Sequence, residues 1–192
     1  MSPAALAIQR AALTLFAERG YAATSVQDVV DEAGVTKGAL YHWFASKDDL
    51  LFGIYDRMLS VQSERFGRIV ADGGPVLGVL RRACEDLVAS SIEFLPDGTV
   101  FFQSLPLLSA ERRAEVRRRR REFDDRFTAL LSDGRRQGLV RADVPLALLS
   151  AAFFAHLHYL PTWYSPAGPE RPAEIASQLT DLYLASIAPP PA

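Results

Sequence analysis

Cysteine, lysine and long apolar runs are scarce in this sequence of 192 residues. Cys84 is its only cysteine, which excludes a disulfide within the chain and fits the reducing interior of a cell. No apolar run approaches the roughly 20 residues that span a bilayer, and the first residues lack the basic start and apolar core of a signal peptide. We therefore expect a cytoplasmic protein with no membrane partner. Its composition, 49% hydrophobic and 23% charged, is typical of a folded globular chain.

Strand patterns and catalytic constellations are also missing. No segment alternates between apolar and polar residues, so an all-α fold is predicted. No Ser-His-Asp, Cys-His or paired-carboxylate arrangement stands out, so we expect neither an enzyme nor a cofactor. His156 and His158 are two residues apart, and side chains at that spacing point away from each other on a helix. One metal ion would not contact both, so no metal site is predicted.

Residues 24–52 contain the most informative pattern, a pair of short helices joined by a tight turn. Ser25 and Asp28 have the spacing of a capping box, and Gly34 marks the end of the first helix. Between them lie four apolar residues at positions i, i+3, i+4 and i+7, namely Val26, Val29, Val30 and Ala33. This spacing predicts one buried face.

The second helix of the pair is predicted over residues 36–44. Leu40 and Phe44 can face inward there. The outer face then carries hydroxyls, a cation, an imidazole and a glycine that permits close backbone approach: Thr36, Lys37, Gly38, Tyr41 and His42. Such groups suit phosphates and base edges, so the pattern indicates a helix-turn-helix that reads DNA with its second helix.

The stretch from Phe16 to Leu51 closely resembles the DNA-binding head of the TetR family of transcriptional regulators. The spacings F-x-x-x-G-Y-x-x-T-S, A-G-V-x-K-G-x-L-Y and F-x-S-K-x-x-L occur in register. The resemblance implies that the outer face of the second helix meets the DNA groove. It also implies phosphate contacts from Thr24 and Ser25, which can serve as capping residues too, and from Lys47. Trp43 departs from the smaller polar residue or histidine common at that position, which leaves its contact with DNA open.

The charge of this region is unusual for a DNA-binding protein. The whole chain carries a formal net charge of −2, and residues 1–50 contain six acidic residues against four basic ones, Arg10, Arg19, Lys37 and Lys47. Only two lysines occur in the chain, and both lie in this motif. We therefore expect local neutralisation of phosphates by a few cations, helix N-termini and backbone N–H groups.

Breakers along the chain divide it into a three-helix head over residues 1–47 and a larger helical body over residues 48–192. Further helices are predicted over residues 2–19, 46–70, 75–94, 110–137, 143–160 and 173–187, with a break at Pro96, Asp97 and Gly98 followed by a short apolar segment. The family resemblance implies a ligand cavity in this body and a homodimer formed by the last two helices.

An arginine run at residues 117–121 is the most unusual feature of the body. Arg120 shares the helical phase of an apolar stripe, so it needs an anionic partner, a route outward to solvent, or an anionic effector. The candidate ligand-binding residues combine this arginine with nearby aromatic and small side chains: Cys84, Val88, Ser91, Phe102, Arg120, Phe123, Phe127 and Phe153. A simple core role is the alternative for most of them.

The segment over residues 161–187 resembles a tail found in some TetR-like regulators of fatty-acid and sterol catabolism. Trp163, Tyr164, Pro166 and Gly168 carry this resemblance, which implies an acyl-CoA effector. Loop and dimer geometry is the alternative explanation, and it requires no shared ligand. The candidate dimer-interface residues are Leu148, Ala152, Ala155, Tyr159, Trp163, Leu179, Leu182 and Tyr183.

Together these patterns predict a ligand-responsive regulator, acting as a repressor that a small hydrophobic or anionic effector releases from a palindromic operator in double-stranded DNA. The alternative is a helical protein that binds or sequesters a small molecule without binding an operator. The acidic balance of the head and Trp43 are the features that favour this alternative.

Overall fold

The computed structural model describes residues 2–190, and for these residues it confirms the all-α prediction. Nine α-helices are present in this range: Pro3–Arg19 (α1), Val26–Ala33 (α2), Lys37–Trp43 (α3), Lys47–Ala71 (α4), Val76–Glu93 (α5), Leu95–Ser104 (α6), Ala110–Arg136 (α7), Leu146–Tyr159 (α8) and Pro172–Ile187 (α9). Short 3₁₀ turns follow α6 at Leu105–Leu107 and α8 at Leu160–Thr162. Within residues 2–190, none of the helices is both long and apolar enough to cross a membrane.

The first helices begin and end at the residues that the sequence indicates. The Ser2 hydroxyl accepts a hydrogen bond from the Ala5 N–H at 3.2 Å at the start of α1. Ser25 and Asp28 form the expected capping box of α2. Such a cap is worth about 1 kcal/mol, because it satisfies N–H groups that have no partner inside the helix. Gly34 ends α2 in the left-handed conformation, with a φ of 62° that favours glycine.

Residues 95–104 differ from the prediction, because the expected break at Pro96, Asp97 and Gly98 lies inside α6. Proline is tolerated in the first turn of a helix, where its missing N–H would have no partner. Asp97, also in that first turn, complements the positive end of the helix dipole. The chain instead leaves the preceding helix at Phe94, whose N–H donates to the Ser90 carbonyl at 2.9 Å.

The first of two compact units contains the residues up to Ser60 together with Leu95–Arg118. α1 packs against α2, α3 and α6. Phe16 is buried here, and so are Val29, Val30, Leu40 and Phe44, which the sequence predicts to face inward. The unit extends past the expected boundary at residue 47 because the first half of α4 packs on the later segment, where the Tyr55 ring stacks on Phe101 with centroids 4.1 Å apart.

The second unit contains Val61–Phe94 and the residues from Arg119 onward. α5 and α9 pack closely along each other. Aromatic rings from four helices form the centre of this unit: Phe66 of α4, Phe127 of α7, Phe153 of α8 and Tyr183 of α9 are all buried. The Tyr183 hydroxyl donates to the Leu149 carbonyl at 3.2 Å, which satisfies its polar group inside the core.

Candidate nucleic-acid interface

The second helix of the helix-turn-helix, α3, presents a polar face to solvent. Its N-cap is Thr36, whose hydroxyl accepts from the Ala39 N–H at 3.1 Å. Leu40 is fully buried, which fixes the rotation of the helix about its axis. The five residues predicted for DNA contact on this helix are consequently all exposed, namely Thr36, Lys37, Gly38, Tyr41 and His42.

Gly38 has no packing reason to be glycine. A Cβ added to it would find only the Thr36 hydroxyl oxygen, 3.9 Å away, as its nearest neighbour. At Gly53 of α4, by contrast, a Cβ would lie 2.8 Å from Gln9 Nε2 and 3.1 Å from a Phe44 ring carbon. The small size of Gly38 therefore leaves room for something outside the protein, as a closely approaching phosphate backbone would require.

Trp43, the residue that departs from the family pattern, also lies at this surface. Its side chain is 43% exposed, and its ring meets the edge of the His42 ring with centroids 4.8 Å apart. The two rings together form an exposed aromatic surface at the end of α3. The indole N–H, a hydrogen-bond donor, is thus carried on the same helix as the five residues predicted for DNA contact.

Thr24 and Ser25 differ in where their side chains point. Ser25 is exposed, and its hydroxyl and backbone N–H both donate to the Asp28 carboxylate, at 2.6 and 2.7 Å, which lowers the pKa of Asp28. Thr24 is buried, and its hydroxyl donates to the Gly20 carbonyl at 2.9 Å. The predicted phosphate contact by the Thr24 hydroxyl does not fit this geometry, because the hydroxyl closes the turn between α1 and α2 instead.

Lys47, also predicted to contact phosphate, is engaged within the head. Its Nζ atom donates to the carbonyls of Tyr21 at 2.8 Å and Thr24 at 3.0 Å. These partners lie 26 and 23 residues away in sequence, so the spacing of residues within a helix does not predict the contacts. Lys37 is therefore the lysine of the motif that is exposed and carried on α3.

The candidate ligand-binding residues do not form a single group. Phe102 belongs to the first unit, whereas the other seven belong to the second. Within the second unit, Phe127 stacks on Phe153 at a centroid distance of 5.1 Å, and Phe123 lies 5.4 Å from Phe66. Cys84 and Val88 are fully buried, and burial raises the pKa of the Cys84 thiol. These five candidates, Cys84, Val88, Phe123, Phe127 and Phe153, are buried in the second unit.

Two further polar contacts lie in this unit, one at its surface and one buried in its core. Arg120 Nη2 lies 3.1 Å from His158 Nε2. The pKa of His158 is lowered to about 4, because partial burial disfavours the charged ring and Arg120 repels it. The rest of the His158 side chain lies at the surface. Gln62, which sequence reasoning missed, donates to the Ser90 and Ser91 hydroxyls at 3.1 and 3.3 Å. The spacing could have indicated its burial, because Gln62 lies three residues after Leu59 and four before Phe66, both on the buried face of α4.

Most of the candidate dimer residues lie at the surface of the second unit. Large exposed apolar side chains are Leu148 (58%), Tyr159 (68%), Trp163 (51%) and Leu182 (69%), while Ala152 and Ala155 are exposed on α8 and Leu179 is half-buried on α9. Tyr183 is buried inside the unit and faces away from that surface. Exposed apolar side chains concentrated on two helices are typical of a protein interface.

A capped recognition helix that presents hydroxyls, a lysine, an imidazole and an open glycine defines a DNA-binding protein of the helix-turn-helix class. Two family models match the chain: bacterial regulatory proteins of the tetR family over residues 8–54, and the tetracyclin repressor-like C-terminal domain over residues 73–187. The chain belongs to the TetR family of ligand-responsive, DNA-binding transcriptional regulators.

Individual relatives agree with this assignment. The transcriptional repressor KstR2 of Rhodococcus jostii (strain RHA1) is 30% identical over 184 residues, which cover 93% of this chain and 88% of KstR2. The crystal structure of the TetR-family regulator PfmR from Thermus thermophilus is 32% identical with a TM-score of 0.83, covering 93% and 97% of the two chains. AibR, crystallised with isovaleryl coenzyme A and operator DNA, shares the fold at a TM-score of 0.78 and 24% identity, over 97% and 99%.

Proposed function

We propose that two copies of this chain bind a near-palindromic operator and repress transcription from it until an acyl-CoA thioester releases them. The observation that carries DNA binding is the exposed face of α3, where Lys37, Gly38 and Tyr41 are not used by the fold. With few cations in the head, specific binding needs two half-sites, which lie about 34–36 Å apart in successive major grooves. This function places the protein in the cytoplasm, beside the DNA.

The homodimer is proposed to form through the exposed apolar faces of α8 and α9. Leu148, Tyr159 and Leu182 leave a large apolar area in water in the single chain. Ala152 and Ala155 lie between the large side chains of α8, and small residues allow two helices to approach closely. Burying such a patch against its own copy would stabilise the dimer by the hydrophobic effect.

Three observations favour an acyl-CoA as the effector. The related regulator AibR binds isovaleryl coenzyme A. Trp163 to Gly168 form a tight loop, in which the Gly168 N–H donates to the Ser165 carbonyl at 2.9 Å. A Cβ on Gly168 would lie 3.0 Å from that carbonyl, so a larger residue would crowd this loop, which resembles those of acyl-CoA-responsive regulators. The arginines at 117–121 of α7 supply the cations that coenzyme A phosphates prefer.

Fluorescence anisotropy tests this function directly. A labelled duplex from the region upstream of the coding sequence is titrated with protein, with unrelated DNA as competitor. Saturable binding that resists the competitor, and that isovaleryl-CoA or a longer acyl-CoA reverses while free coenzyme A does not, is the expected result. By linkage, the operator must weaken acyl-CoA binding by the same factor. Binding that every acyl-CoA leaves unchanged would contradict the proposed effector and leave operator recognition standing.

A paired substitution tests the arginine contribution. Arg120→Ala removes the guanidinium beside His158, and Arg136→Ala removes an exposed guanidinium near the end of the same helix. We expect Arg120→Ala to require about tenfold more acyl-CoA for release, the loss typical of one charge-assisted hydrogen bond. Arg136→Ala should leave the release curve in place. Equal effects of the two variants would contradict a specific role for Arg120.

A further inference from the structure

Lys47, the first residue of α4, binds the turn that leads into α2. Its ammonium donates to the Tyr21 carbonyl at 2.8 Å and the Thr24 carbonyl at 3.0 Å, and it lies 4.3 Å from the centre of the Tyr21 ring. A lysine ammonium has three N–H donors. Two of them are used on carbonyls of this turn, and the cation is further stabilised by the electron-rich face of the ring.

The turn that Lys47 binds leads directly into the N-cap of α2. Thr24 precedes Ser25, whose hydroxyl caps the helix. The Thr24 hydroxyl donates to the Gly20 carbonyl, so the turn is held from within by Thr24 and from α4 by Lys47. The N–H groups at the start of α2 can approach a DNA phosphate only if this turn keeps its shape.

Acidic neighbours complete the environment of Lys47. A cation at the start of a helix is unfavourable because that end carries a partial positive charge. Asp48 follows it, accepts a hydrogen bond from the Tyr21 hydroxyl, and accepts another from the Ser109 N–H at 2.9 Å. Burial would raise the pKa of Asp48, but these hydrogen bonds and the charge of Lys47 outweigh it and lower that pKa. Lys47 is thus compensated inside the head without a phosphate.

We propose that Lys47 is a positioning residue for DNA binding, acting through the carbonyls of Tyr21 and Thr24 to hold the α1–α2 turn. With two N–H donors on the carbonyls, a phosphate that took more than the third donor would have to displace one of them. Lys37, the other lysine of the chain, is exposed on α3 and supplies the direct phosphate contact. This assignment reverses the role that family resemblance implies for Lys47, and it rests on DNA binding by this head.

Amine labelling separates the two lysines without mutation. The full-length protein is treated with a trace of an acetylating reagent, and the acetylated fraction of each lysine is measured by mass spectrometry. Since the chain has only two lysines, the assignment is unambiguous. In the free protein Lys47 should react at least about tenfold more slowly than Lys37, because its two internal hydrogen bonds must break before the amine can react. Equal rates would overturn the proposal.

The same labelling is repeated with a duplex that the protein selects from a randomised pool. DNA should protect Lys37 and leave the rate at Lys47 unchanged. New protection of Lys47, with or without protection of Lys37, would overturn the proposal. Failure to select any duplex would count against operator binding, and the rates in the free protein would still decide the internal engagement of Lys47.

Matched variants then test the consequence for binding. Lys37→Met and Lys47→Met each remove one positive charge from the head and keep an unbranched stem. Lys37→Met should flatten the plot of log affinity against log salt by about one per head, because one phosphate contact is lost. Lys47→Met should weaken binding by about tenfold at every salt concentration and keep the slope. Equal flattening of the slope by both variants would overturn the proposal.

Two controls guard against a folding defect in Lys47→Met. Amide hydrogen exchange over residues 20–28 of the free protein should accelerate in Lys47→Met and stay unchanged in Lys37→Met. Lys47→Arg should restore affinity, since a guanidinium can donate to both carbonyls. Unchanged exchange in Lys47→Met would overturn the proposal even if its affinity fell.

Discussion

The two compact units place their polar groups in opposite ways. In the first unit the groups suited to a partner come from one short segment, residues 25–42, and lie on the surface. In the second unit Gln62, Arg120 and His158 come from three different helices and bond to groups within the same unit. DNA is an extended partner that an exposed helix can meet directly. A small molecule requires side chains to converge from distant parts of the chain, so its site leaves a weaker trace in the sequence.

Ala155→Glu should have the largest effect, and it tests whether DNA binding by the first unit depends on a dimer surface of the second unit. A carboxylate buried at the proposed α8–α9 interface would be unpaired, at a cost of about 3–5 kcal/mol. Dimerisation and operator affinity should then fall together by at least about a hundredfold. Analytical ultracentrifugation and anisotropy measure the two. Ala129→Glu, on an exposed position of α7, is the control and should change neither.

Phe127→Ala tests how far the second unit depends on its packed rings. Phe127 is fully buried and contacts Phe66, Phe153 and Tyr183. Removing the ring should lower the free energy of unfolding by about 3–5 kcal/mol, measured by urea denaturation. Tyr159→Ala, at an exposed position of α8, should cost far less in the monomer. A small loss at Phe127 would show that the aromatic cluster surrounds space a ligand could enter.

The same comparison explains which contacts the sequence predicts and which it does not. The caps of α2 and α3 join residues three positions apart, Ser25 to Asp28 and Thr36 to Ala39, so local spacing predicts them. Leu40 then determines which face of α3 is exposed. The contacts of Lys47 with Thr24 and of Gln62 with Ser90 cross 23 and 28 residues. No local pattern encodes such pairs, because helix packing brings them together, and the sequence therefore predicts neither contact.

Tyr41→Ala should separate binding from stability in the first unit. Tyr41 is 47% exposed, so its removal should change the free energy of unfolding by less than about 0.5 kcal/mol. Operator affinity should fall by about 1–3 kcal/mol, or roughly tenfold to a hundredfold, if the ring and hydroxyl meet the DNA. Tyr41→Phe distinguishes the hydroxyl from the ring. Unchanged affinity in Tyr41→Ala would remove Tyr41 from the interface.

Gly38→Ala should move stability and binding in opposite directions. The methyl group finds open space in the free protein, and alanine favours helix by up to about 1 kcal/mol over glycine. Thermal unfolding should therefore shift upward, while operator affinity falls because the methyl occupies the approach to DNA. Gly53→Ala is the matched control, since its methyl would collide with Gln9 and Phe44 and lower stability. A gain in both stability and affinity at Gly38 would contradict close approach of DNA.

Asp86→Asn tests whether a partly buried charge lowers the stability of the second unit. Burial raises the pKa of Asp86, although Arg65, 3.9 Å away, opposes this, and Asp86 Oδ2 is buried without a hydrogen-bond partner. A carboxyl whose pKa is higher when folded destabilises the protein once it is ionised, above that folded pKa. Asparagine should therefore unfold at higher urea than wild type at pH 7, and the gap should close as pH falls below about 4, where the carboxyl is protonated in the folded and the unfolded state.

Asp143→Asn should change the stability at pH 7 in the opposite direction. The hydrogen bonds from Arg141 lower the pKa of the exposed Asp143 to about 2. A carboxyl whose pKa is lower when folded stabilises the protein above its unfolded pKa, and that contribution is lost as pH falls through the folded value. Asp143→Asn should accordingly be less stable than wild type at pH 7. A shift of the urea midpoint in the same direction by both substitutions at pH 7 would show that solvent exposure does not explain the different pKa shifts of Asp86 and Asp143.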